Sequence, residues 1–317
     1  MSIPTTRLGR TGLTVSRLAL GTMTFGLQTD EAVSHQILDK AAEGGINFLD
    51  TADVYPLGGT VETTGRTEEI IGRWLHKQGA AGRRRFVVAT KAVGKVGPSS
   101  WDQGASRKHL LDAIDASLKR LQTDHVDLYQ LHSDDRETPL EESLEALDVI
   151  VKSGRARYIG VSNFLAYRLA RALGKAELHK LKLLPLAGEE GLGVIPYNPL
   201  AGGLLTGKYK PGAAPEQNTR FTLGTAGGMY QDRYWNERSF NTVTQLHKLA
   251  DEAGVPLATL AVAWVMANPL ITAPLLGASR PEQLDATLAA ASYRLDPALK
   301  QKLDELTAEY RKGDAPR

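Results

Sequence analysis

The chain contains no cysteine. Disulfides, thiolate metal sites and cysteine nucleophiles are therefore excluded outright. It also lacks an excess of either charge: 38 basic residues against 36 acidic ones leave a net charge of +2. A nucleic-acid binder carries a basic stripe, and none is present. No H-E-x-x-H or close histidine cluster occurs among the seven histidines, so no metal site is expected. There is no G-x-S-x-G for a serine hydrolase and no G-x-G-x-x-G after the first strand-like run. Residues 1–17 lack the apolar core of a secretory signal, which makes the expected location cytoplasmic. The one long apolar stretch, residues 257–278, is broken by Asn268, Pro269 and Pro274, so no membrane span is expected. No solenoid repeat and no low-complexity segment appears.

What remains is ordinary globular material, 42% apolar and 23% charged. That balance excludes a disordered, collagenous or coiled-coil chain. Seven short apolar runs read as strands: residues 18–20, 47–49, 86–89, 126–131, 158–161, 194–197 and 271–276. They are continuously apolar, as strands buried on both faces are. Helical patterns fill the intervals at 30–43, 67–77, 106–121, 139–152, 165–178, 240–252, 257–267 and 281–291. Ser106 and Thr138 read as N-caps, and Pro281 as a first helical residue. Residues 211–231, rich in Gly, Pro and Thr, read as a long mobile loop. The alternation implies a parallel sheet covered by helices, either doubly wound or closed as a (β/α)₈ barrel. Polar residues follow many different strand ends, which favours the barrel over a single switch point. One domain over residues 1–317 is the simplest reading. A standard barrel has eight strands, and only seven are legible.

Gly202 and Gly207-Lys208 approach the G-x-x-x-x-G-K phosphate loop, but Tyr209 stands where Ser or Thr should be. A stronger constellation is Asp50, Tyr55, Lys91 and His132, each at or just past a different strand end. A tyrosine with an ordinary pKa near 10 is a poor acid at neutral pH. A neighbouring ammonium is expected to lower it, and a carboxylate to hold that ammonium. A histidine can orient a carbonyl oxygen. The set suits protonation of a carbonyl oxygen while hydride, which no side chain supplies, arrives from a cofactor. A Schiff-base isomerase or aldolase using Lys91 is a weaker reading, because Asp50 should keep Lys91 charged.

At these residues the chain resembles the aldo-keto reductases. The matching stretches are residues 7–13, 20–23, 47–55, 160–164, 196–209 and 277–280, spread over nearly the whole chain. The resemblance implies a (β/α)₈ barrel that binds NADPH without a Rossmann motif and reduces aldehydes or ketones. It implies that Tyr55 is the general acid, Lys91 its partner, Asp50 the counter-ion of Lys91, and His132 the orienting group. It further implies cofactor contacts from Gly21, Thr22 and Met23, and from Ser162 and Asn163 to the nicotinamide carboxamide. Tyr197 matches the ring that stacks on the nicotinamide. Asn198, Pro199, Leu200, Gly202 and Lys208 match the pyrophosphate belt. Gly277, Ser279, Arg280 and Gln283 match the adenosine 2′-phosphate site. The expected partner is a small carbonyl substrate. A nucleotide-binding regulator, like the channel β-subunits that share the fold, is the alternative.

Two departures stand out. Ala286-Thr287 replaces the Glu-Asn pair usual for adenine. Roughly twenty residues, about one strand and its loop, are missing between residues 164 and 196, where the sixth strand belongs. Residues 181–184 could substitute as a short strand, the barrel could stay open there, or the chain could fold poorly. The expectation is a weakened barrel with its catalytic rim in place.

Overall fold

The computed structural model describes residues 3–174 and 183–310. An antiparallel hairpin comes first, β1 (Thr5–Arg7) and β2 (Thr14–Ser16). Alternation then begins with β3 (Ala19–Gly21), α1 (Glu31–Glu43), β4 (Phe48–Asp50), α2 (Arg66–Arg83) and β5 (Val87–Ala92). It continues with α3 (Arg107–Leu121), β6 (Val126–Leu131), α4 (Leu140–Lys152) and β7 (Ala156–Val161). Two short helices follow, α5 (Ala166–Ala172) and α6 (Leu183–Glu189). The remainder holds α7 (Gly227–Tyr234), α8 (Glu237–Glu252), α9 (Leu257–Met266), β8 (Leu275–Leu276), α10 (Gln283–Leu288) and α11 (Pro297–Leu306).

Six strands form one parallel sheet in the order β7-β6-β5-β4-β3-β8. All six residues of β5 are buried, which is why its sequence shows no polar face. Its side chains alternate between two cores. Val87 and Ala89 join an inner core with Phe48, Leu128 and Leu275. Val88 and Ala92 join the outer core beneath the helices, with Ile37, Ile71 and Ile114. The hairpin brings Leu8 and Val15 to the inner core, a role the sequence pattern did not suggest. Where α2 meets α3, a Cβ on Gly72 would stand 2.1 Å from the Arg120 carbonyl oxygen, so only glycine permits that approach.

Helix starts follow local chemistry. Asp30 accepts from the Val33 amide at 2.9 Å, and Ser106 from the His109 amide at 3.3 Å. Thr138 is not a cap. Its hydroxyl donates to Asp135 Oδ2 at 2.7 Å, and α4 starts after Pro139. Likewise α10 starts at Gln283 rather than Pro281.

Among the described residues no strand pairs with the outer side of β7. Residues 194–197 lie along residues 272–275, and the Val194 and Pro196 carbonyls accept from the Thr272 and Leu275 amides at 2.8 and 2.9 Å. They occupy the position of a seventh strand without forming a regular ladder. No strand among the described residues joins them to β7. The proposed substitute fails where it can be followed. Leu183 and Leu184 belong to helix α6, and Leu181 and Lys182 lie outside the described residues. Ile159 of β7 is 46% exposed. The helix expected over 165–178 covers 166–172, and residues 175–178 again lie outside the description.

Residues 211–231 are not a loose loop. Phe221 is fully buried and meets Tyr209, Tyr230 and Trp235 edge-on, with ring centres 4.6–6.4 Å apart. These aromatics, with α8 and α9, form a separate hydrophobic cluster. The apolar stretch from residue 257 becomes the ten-residue helix α9. Among the described residues no single helix is long and apolar enough to cross a membrane; α8 and α9 together are, but they are bent by 92°.

Candidate active site

Strand register sets the site. Asp50 stands opposite Gly21 and Ala89, Lys91 opposite Gln130, and Leu131 opposite Val161. The C-terminal ends of β3 to β7 thus finish level, and a barrel builds its chemistry at that rim. Asp50, Tyr55, Lys91 and His132 all line one cavity of about 1790 Å³. Small-molecule sites are typically about 300–1,000 Å³, so there is room here for two ligands.

Lys91 Nζ donates to Asp50 Oδ1 and, at 2.7 Å, to the Thr51 carbonyl. Gln130 Nε2 donates to the other Asp50 oxygen at 3.2 Å. Burial alone would lower the Lys91 pKa, but Asp50 and then Tyr55 outweigh it and the net direction is upward. The amine stays charged, which opposes a Schiff-base role. Lys91 Nζ lies 5.3 Å from the centre of the Tyr55 ring. The His132 ring meets that ring edge-on, with centres 5.6 Å apart.

Lys91 pulls the Tyr55 phenol down as expected, but the net direction is upward. Burial is the largest influence and pushes its phenol above the usual value, with Lys91 pulling the other way. His132 is lowered to about 3, by burial first and Lys91 second. Its imidazole is therefore neutral at ordinary pH and able to donate one N–H.

The other expected residues form an arc around the same cavity. Thr22 Oγ1 donates to the Asp50 carbonyl at 2.9 Å, and the Met23 carbonyl accepts from the Leu57 amide at 2.8 Å. Gly21, Ser162 and Asn163 line the opening. Asn163 Nδ2 donates to the His132 carbonyl at 2.8 Å, and its Oδ1 accepts from the Tyr197 hydroxyl at 3.0 Å. Tyr197 is 44% exposed, so its ring face is available. Asn198 Oδ1 accepts from the Gly202 amide at 2.7 Å, folding the backbone from Pro199 and Leu200 back on itself. Gly202 and Gly207 adopt φ of 71° and 75°, which glycine allows without strain. Gln283 Oε1 accepts from the Ser279 amide at 2.8 Å, beside Gly277 and Arg280. Ala286 also lines the cavity, whereas Thr287 is buried and bonds to the Leu284 carbonyl.

Arg220 was not expected. It lines the cavity, stacks 5.5 Å from the centre of the Tyr230 ring, and buries an Nη1 without a hydrogen-bond partner. The only available sequence signal was one basic residue inside a polar turn. Gln130 was missed too, although a glutamine in an apolar strand is itself a signal. Lys208, Arg220 and Arg280 have no carboxylate partner among the described residues. Three unpaired cations and one orphaned guanidinium nitrogen around a single cavity fit a polyanionic dinucleotide. Among the described residues no cluster suited to a metal ion occurs.

The profile of the aldo/keto reductase family matches residues 17–308. The chain belongs to this family. Among its relatives is an oxidoreductase of Bacillus subtilis, YrpG, 40% identical over 95% of each chain. Another is a probable voltage-gated potassium channel subunit beta of Arabidopsis thaliana, 34% identical over 94% of this chain and 95% of its own. The L-glyceraldehyde 3-phosphate reductase of Escherichia coli K12 is 32% identical over 89% and 86%. The alignment with YrpG spans 328 positions, more than the 317 residues of this reductase-family chain. The relative therefore carries residues that this chain lacks.

Proposed function

We propose that the chain is an NADPH-dependent reductase of aldehydes and ketones. The observation that carries this is the tyrosine at the rim: Tyr55 lies between an ammonium fixed by Asp50 and a neutral histidine, in the cavity lined by the unpaired cations. A relative named for reducing an aldehyde phosphate supports carbonyl chemistry. Ser162 and Asn163 would hold the nicotinamide amide and Tyr197 its ring. Lys208 and Arg220 would hold the pyrophosphate side, and Arg280 with Ser279 the 2′-phosphate. Bound there, the reduced cofactor supplies hydride.

Tyr55 and His132 receive the carbonyl oxygen. As the carbon gains hydride, negative charge grows on that oxygen and the Tyr55 O–H bond breaks toward it, giving the alcohol. The phenolate left on Tyr55 is stabilised by Lys91, whose charge Asp50 and the Thr51 carbonyl hold in place. Burial raises the Tyr55 pKa, so release of its proton depends on Lys91 stabilising the phenolate as it forms. The test is NADPH oxidation with 4-nitrobenzaldehyde. Tyr55→Phe is expected to lower kcat by about 10²–10⁴-fold while leaving NADPH affinity unchanged. Equal rates for the two proteins would rule Tyr55 out as the acid. The alternative, a nucleotide-binding regulator, is supported by the relative named as a channel β-subunit, and predicts NADPH binding without turnover by either protein.

A further inference from the structure

Behind the rim, on the helix side of β5, lies a second group of charges that the proposed chemistry does not use. Asp53, two residues before Tyr55, is completely buried, and neither of its carboxyl oxygens has a hydrogen-bond partner. Its backbone amide donates to the Lys91 carbonyl at 3.0 Å, so it ties the loop carrying Tyr55 to the strand carrying Lys91. The charged and titratable groups that act on it are Glu68 from α2, Arg120 from α3 and Lys91 from β5; Tyr129 on β6 feels its charge in turn. The Val54 amide acts on it weakly, without hydrogen-bond geometry. Glu68 is also completely buried, but both its oxygens are engaged. One accepts from the Thr90 hydroxyl and the other from Arg120 Nε at 2.7 Å. Arg120 pairs with Glu68, and the Asp53 carboxyl is left without a cation of its own. A second charge there would be desolvated and unpaired.

We propose that Asp53 is carried as a neutral carboxylic acid beside the Glu68–Arg120 pair, and that it is a positioning residue for Tyr55 and Lys91. It fixes the loop against β5 without placing another negative charge behind Lys91. Burial, and then Glu68, push its carboxyl well above the usual carboxylate range. The inference rests on the reading of Tyr55 as the acid, since an ionised Asp53 would weaken the hold of Lys91 on the Tyr55 phenolate.

Two measurements need no turnover. In infrared spectra at neutral pH, the carbonyl band of a protonated carboxylic acid should be present in the native chain and absent in Asp53→Asn. It should also fade in Glu68→Gln, where Arg120 is free to pair with an ionised Asp53. No such band in the native chain overturns the proposal. Ultraviolet titration of the Tyr55 phenolate, taken as the difference from Tyr55→Phe, should move to lower pH in Asp53→Asn; coincident curves reduce Asp53 to a structural role. With aldehyde and NADPH, the alkaline fall of kcat/KM, which follows loss of the Tyr55 proton, should move to lower pH in Asp53→Asn together with the phenolate titration. If neither protein reduces any aldehyde, the reductase reading fails, and the infrared and phenolate results still decide Asp53.

Discussion

His132 shows how burial fixes a chemical role. A free histidine titrates near 6.5. Here burial and Lys91 lower it to about 3, so its ring is neutral and free to donate one N–H rather than acting as a cation. A folded-state pKa below the unfolded one contributes stability above the unfolded pKa, and that stability is lost as pH falls toward the folded value. The melting temperature should therefore fall between about pH 6.5 and pH 4, and His132→Gln should flatten part of that fall; parallel curves for the two proteins would contradict it. The four rim residues were legible because each interrupts or follows an apolar strand. The direction of the Tyr55 shift was not, because it depends on how much of the chain covers the ring. Asp53 and Arg220 escaped notice for a similar reason. What distinguishes them is a missing partner, and spacing along the chain does not reveal that.

Among the elements, the run from residue 211 to 231 departs furthest from its sequence pattern. Its Gly, Pro and Thr content reads as a loop, and short turns are indeed what it contains. The order comes from aromatics at no regular spacing, which converge only in three dimensions. Phe221→Ala should cost about 3–5 kcal/mol of unfolding free energy in urea, with an unchanged m-value. It should also weaken NADPH binding, because Asn198 leans on Tyr234 in the neighbouring helix at 2.9 Å. A loss below about 1 kcal/mol would mean the cluster is not a core. The strand read at 194–197 is in its expected place, yet it forms no full ladder. Pro196 has no amide to donate, and only the Val194 and Pro196 carbonyls bond to the backbone of the 272–275 segment.

At the scale of the molecule, the fold class and the shared rim were visible from alternation alone. The pairing beyond β7 was not, because residues 165–193 carry no clear strand pattern. NADPH at about a hundred times its dissociation constant should add roughly 2.7 kcal/mol and raise the melting temperature by several degrees. NADH should do markedly less, and added salt should shrink the difference by screening Lys208 and Arg280. A melting temperature that NADPH leaves unmoved would deny the cavity its ligand. The strand order has a further consequence for how the protein is made. From β3 to β7 each new strand docks beside the one before it, and only β8 must return to the first. Asp50, Tyr55, Lys91 and His132 all lie in that early half, whereas Tyr197, Lys208 and Arg280 lie in the late half. During synthesis the proposed proton-transfer set can assemble in sequence while the residues proposed to hold the cofactor are still being translated, so the acid proposed here is in place before its hydride source can bind.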